Sequence, residues 1–187
     1  MPSLLKAFRH CLFIGLLIWS IPIQAYPYAT QIRYADLIQT DSGLSVRAKI
    51  DYPLSPTAKE ALHKGVPLFW TIKLELRESG TLWDTTIYKQ TLHYRLQFHA
   101  LLNQYEVRSP TVQSEMFLTL NAALGFMSTL DDAMPISNDL LLPNQLYKAA
   151  LKCQFERERL PVPLRPFSYL DSQWFLSSDW FIWPIQK

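Results

Sequence analysis

Apolar residues recur at every second position along most of this chain, the period of a β-strand half-buried in a sheet. The longest series is Val66, Leu68, Trp70, Ile72, Leu74 and Leu76, with Thr71, Lys73, Glu75 and Arg77 on the opposite face. Leu44, Val46, Ala48 and Ile50 alternate with Arg47 and Lys49. Gln31 to Gln39 is also strand-like, and the intervening Asp41-Ser42-Gly43 predicts a hairpin turn. Ser79-Gly80 ends the long strand, and Trp83 to Tyr88 begins another. Leu92, Tyr94, Leu96 and Phe98, then Tyr105 and Val107, continue the pattern. Later come Tyr147, Ala149, Leu151, Cys153 and Phe155, and a final strand-like run from Trp174 to Trp183.

Two stretches break the period. Ser55-Pro56-Thr57, Ala58 to Lys64 and then Gly65 predict a short helix with an N-cap, a first-turn proline and a terminating glycine. Phe117, Leu120, Leu124, Met127 and Leu130 follow helical spacing and predict a helix over 114–130. Pro161, Pro163 and Pro166 predict an extended, helix-free connector over 160–167. The expected fold is mainly β, bordering on α+β. It is an antiparallel β-sandwich of Ig-like or Greek-key type, with one or two short helices covering one side or end.

The first 25 residues do not fit that domain. Lys6 and Arg9 precede an apolar run from Cys11 to Ile21, Pro22 breaks it, and Ile23-Gln24-Ala25 suits a signal peptidase. We read residues 1–25 as a signal peptide and 26–187 as a single β-rich domain exported to the periplasm. The run is roughly 17 Å long as a helix, short against a hydrocarbon core of about 30 Å. An uncleaved segment would tether the domain to the inner membrane, its only expected membrane contact.

Charge and cysteine content narrow the function classes. Of 18 Lys and Arg, two lie in the leader, so the rest balance the 16 Asp and Glu. That balance argues against general electrostatic capture of nucleic acid or anionic lipid. Of the two cysteines only Cys153 follows the leader, so no internal disulfide can form in the exported domain. Its place in an alternating strand predicts a buried structural thiol.

No catalytic pattern emerges. Within one strand His93 and His99 would stand roughly 20 Å apart, beyond a shared metal, and His63 has no ligand-spaced partner. Carboxylate pairs can be drawn from Asp131, Asp132, Glu156 and Glu158. They read more simply as a solvated loop and an exposed charged strand end. The sequence contains no nucleophile elbow and no glycine-rich phosphate loop. We expect no enzymatic activity, no cofactor and no metal. The terminal aromatics are more informative: Trp174, Trp180, Phe181 and Trp183 are the candidate interaction surface, since Trp anchors dominate docking sites.

Several short motifs occur in order: Gly65-Val-Pro-Leu-Phe-Trp70, Leu82-Trp83-Asp84, Leu92-His-Tyr94-Arg-Leu96 with Gln104-Tyr105, Leu160-Pro161-Val-Pro163-Leu164, and Trp174-Phe-Leu-Ser-Ser178-Asp-Trp180. Together they resemble the proteobacterial exported family known as domain of unknown function 4390. The resemblance implies no activity, cofactor or catalytic residue. It does imply a context, because genes of that family often lie beside one for a membrane-bound sensor histidine kinase. The expectation is therefore a non-catalytic interaction or sensory accessory module, with such a kinase as the candidate partner. A small outer-membrane β-barrel is one alternative. The other is a periplasmic carrier of an apolar ligand lined by Phe117, Leu124 and Met127. Oligomeric state is not read from the sequence.

Overall fold

The computed structural model describes residues 26–40, 43–80, 82–109, 113–131, 134–143 and 145–185. The leader reading (1–25), the turn residues Asp41 and Ser42, and Asp132 lie outside them. Alternation decides the strands. In β3 (Leu68–Glu78), Leu68, Trp70, Ile72, Leu74 and Leu76 are fully buried while the intervening residues point the other way. β8 (Tyr147–Phe155) does the same with Tyr147, Ala149, Leu151, Cys153 and Phe155. β4 (Thr85–His99) is one continuous strand, with a register shift opposite Leu76 and Arg77.

These strands belong to a six-stranded antiparallel sheet in the order β6 (Glu115–Phe117), β5 (Gln104–Arg108), β4, β3, β8, β9 (Phe181–Ile185). A three-stranded sheet has the order β1 (Gln31–Thr40), β2 (Gly43–Asp51), β7 (Thr129–Leu130). β1 and β2 form the expected hairpin, closing at Thr40 opposite Gly43. Val46, Ala48 and Ile50 of the small sheet join the β3 and β8 residues in one apolar core. Aromatic contacts run through it from Tyr52 to Trp70 (5.5 Å), then Phe155 (5.2 Å) and Trp174 (6.1 Å). The molecule is thus mainly β with two antiparallel sheets. The uneven division of strands does not establish the Ig-like or Greek-key type.

The first helix is α1 (Pro56–His63). Ser55 Oγ accepts from the Ala58 N–H at 3.0 Å, and Gly65 just beyond the helix has φ +84°. Both features follow the expectation.

Three elements correct the sequence reading. The expected helix over 114–130 is instead β6, then α2 (Leu120–Met127), then β7. β6 pairs Phe117 with Tyr105, Thr119 caps α2 by accepting from Ala122 N–H at 3.2 Å, and Leu130 pairs with Ala48. Apolar residues three or four apart also satisfy this strand–helix–strand arrangement, so the spacing is ambiguous. The supposed helix-free connector contains the start of α3 (Arg165–Leu170), which has Pro166 in its first turn, where no N–H is needed. The last strand begins at Phe181 and not at Trp174, which lies in a 3-10 turn. Between them, Ser177 and Ser178 hydroxyls accept from the Phe155 and Cys153 N–H groups at 2.9 and 2.8 Å, replacing a ladder with side-chain bonds.

The architecture also corrects one functional alternative. An outer-membrane barrel is a closed sheet with an apolar exterior. Here, among the described residues, two open-edged sheets enclose an apolar interior, and the second face of the large sheet carries many charged and polar side chains beside Phe69 and Trp180. Among the described residues no helix is long and apolar enough to cross a membrane.

Candidate interaction face

The alternation that fills the core with every second residue of β3, β4, β5 and β8 sends the others to the outer face of the six-stranded sheet. Register then decides which of them meet. Phe69 lies across from Arg95, Thr71 from His93 and Gln154, Lys73 from Thr91 and Lys152, and Glu75 from Lys89. One strand further out, Arg95 lies across from Arg108. The face is open to solvent along β4, where Lys89, Thr91 and His93 are exposed.

Cations outnumber carboxylates on it. Glu75 is shared by Arg77 (2.8 Å) and Lys89 (3.3 Å). Burial disfavours its charge, but hydrogen bonds from those two cations outweigh that and hold its carboxyl below the ordinary range. Lys148 pairs with Asp84 at 3.0 Å, while Lys73 donates to the neutral Gln154 at 2.7 Å. Lys152 and Arg77 flank the Trp180 ring, 5.7 and 4.9 Å from its centroid. Arg159 stacks on Phe69 at 3.7 Å. Lys73, Lys152, Arg95 and Arg159 have no carboxylate within ion-pair distance among the described residues.

On β5, between β4 and β6, Glu106 is an anchor. It is 4% exposed and receives Arg108 Nε at 2.7 Å and Ser114 Oγ at 2.7 Å, with His99 Nε2 2.8 Å away. Burial raises its pKa, yet the hydrogen bonds from Ser114, His99 and Arg108 prevail and bring it down to about 2.

The structure distributes the sequence-predicted residues unevenly. Of the four aromatics, only Trp180 lies on this face. Trp174 is 2% exposed and part of the core. Phe181 and Trp183 are half-buried, 5.8 Å apart, and pack against the core from β9. A regular strand would have put Trp174 and Trp180 on one surface; the 3-10 turn separates them.

The remaining candidates scatter as well. His63 Nε2 lies 2.8 Å from the Tyr105 hydroxyl, and His93 Nδ1 lies 2.9 Å from Thr71 Oγ1, so the three histidines have separate partners. Asp131 pairs with Arg47 at 3.1 Å, and Glu158 accepts from the Tyr169 hydroxyl at 3.0 Å. Cys153 is fully buried beside Tyr52, and burial pushes its thiol up to about 12, far from a nucleophile's range. Met127 is core, whereas Leu124 lines an open cleft of about 390 Å³ that also contains Arg33 and Asp51. That cleft is half polar, unlike a pocket for an apolar ligand.

Sequence reasoning missed Arg95, Arg108 and Arg159. The first two belong to the polar half of alternating strands, but they meet Arg159 in a cluster only through the order β5-β4-β3 and its register.

A family model described as domain of unknown function (DUF4390) matches residues 28–184. No curated protein and no solved structure matches the chain.

Proposed function

The chain belongs to the DUF4390 family, and from that premise we propose that it is an exported periplasmic module that docks a partner without catalysing a reaction. One observation carries the reading. A chain of nearly balanced charge concentrates uncompensated Lys and Arg on one solvent-open sheet face, edged by Trp180 between Arg77 and Lys152. Charge placed this way attracts an acidic surface, speeds encounter and rejects basic ones. A Trp at its border supplies the apolar anchor that a few hot-spot residues need. Among the described residues the one cysteine thiol is buried, and each of the three histidines has its own hydrogen-bond partner.

The extracytoplasmic part of a membrane-bound sensor histidine kinase is the candidate partner, on the strength of the family's gene context. The test uses the tagged full chain at native expression, purified with and without Lys152→Glu. Mass spectrometry would read both the co-purified proteins and the new N-terminus. The reading expects a start at Tyr26 and a kinase captured by the unaltered chain, at least about tenfold depleted with the charge reversed. Equal capture by both chains would remove the face from the mechanism. A retained leader would make the domain membrane-tethered.

A further inference from the structure

The outer face is not uniform. Near the start of β3 it dips into a cleft of about 350 Å³ lined by Phe69, His93, Arg95, Arg108, Ser109 and Arg159. Arg95 and Arg108 are directly opposed on neighbouring strands, a placement of like charges that ordinarily destabilises a sheet. Glu106 neutralises Arg108 at 2.7 Å. Arg95 finds only the neutral Gln97, through Nη2, and its Nε is buried without a hydrogen-bond partner among the described residues. A buried guanidinium N–H left without an acceptor is costly unless something else fills the role. Arg159 rests on the Phe69 ring, which occupies the face of its guanidinium and leaves the N–H edge free to donate. The cleft is therefore lined by two guanidinium groups that have no carboxylate partner among the described residues, and one of them, Arg95, also has a buried Nε–H without an acceptor.

We propose that this cleft binds a dianionic phosphate group, either free or as a monoester. The charge matches: a phosphate monoester carries about −1.5 to −2 near pH 7, where a carboxylate carries about −1. The chemistry of the lining suits it as well, since guanidinium forks fit phosphate oxygens and can engage them two at a time. The inference rests on the reading of the outer face as the working surface, and it names one chemical group that this surface recognises.

The full chain, purified without phosphate, would be titrated with inorganic phosphate, phenyl phosphate and acetate while the arginine Nε–H signals are followed by NMR. Vesicles containing phosphatidylglycerol form a separate arm. The expected result is saturable movement of the Arg95 Nε–H signal with both phosphates and an affinity at least about tenfold above that for acetate. Arg159→Ala should weaken phosphate binding about tenfold or more, and Lys49→Ala, on the other sheet, should leave it unchanged. If Arg95→Ala does not fold, Arg159→Ala on its exposed turn carries the test. No response to phosphate, equal response to acetate, or binding only to vesicles would overturn the proposal. Partner capture that survives a failed titration would confine the failure to this inference. Phosphate binding without partner capture would strike the docking reading alone.

Discussion

Glu106 is where a single residue bears most on this fold. Its carboxylate is nearly buried on β5, ringed by Ser114, His99 and Arg108, with its pKa lowered from an ordinary 4.5 to about 2. A carboxylate with a depressed folded-state pKa stabilises the protein above the unfolded value, and the contribution disappears as pH falls through the folded value. Glu106→Gln should therefore cost up to roughly 3 kcal/mol at about pH 7. The gap from the unaltered protein should narrow as pH drops from 4.5 towards 2. Urea unfolding of both chains across that range measures it, and a gap independent of pH would refute the assignment. Cys153 illustrates the opposite case, a titratable group that burial silences. Its alternation with Leu151 and Phe155 makes that legible in the sequence itself, whereas Glu106 sits in a short strand whose partners only the register reveals.

Elements follow the same division between local and long-range information. α1 is readable because its start and stop are chemical: Ser55 Oγ meets the Ala58 N–H, and Gly65 adopts φ +84°. Ser55 is fully buried, so Ser55→Ala removes the acceptor and gives that N–H no route to water. The expected loss is about 1 to 2 kcal/mol by thermal or urea unfolding, and a loss below a few tenths would show that the cap is dispensable. β3 and β8 are equally legible, because alternation of period two leaves one face for the core. The run over 114–130 is not. Its apolar spacing fits one helix, but pairing of Phe117 with Tyr105 and of Leu130 with Ala48 gives both ends to sheets. Tertiary pairing overrides a local period there. At the C-terminal end, Ser177 and Ser178 take over hydrogen bonds that a regular strand would have made, and so Trp174 goes to the core while Trp180 goes to the outer face.

At the scale of the whole molecule, two sheets share one apolar core and leave the larger sheet with a second face rich in Lys and Arg. Near-neutral composition conceals the property that matters, because net charge carries no information about placement. The cations of β3, β4, β5 and β8 are far apart in sequence and are gathered only when β8 returns beside β3. This is why the class of fold is visible from the chain and the candidate site is not: the first depends on local period, the second on strand order.

The central claim is that this face, not the small sheet, meets the partner. The most direct measurement is in-cell photo-crosslinking of the full chain at native expression. A photoreactive residue would replace Lys152 on the outer face in one strain and Arg47 on the small sheet in another. The account predicts a discrete crosslinked partner from position 152, identified by mass spectrometry as a membrane protein with an acidic extracytoplasmic surface, and none from position 47. The same partner captured from position 47 and not from 152 would contradict it.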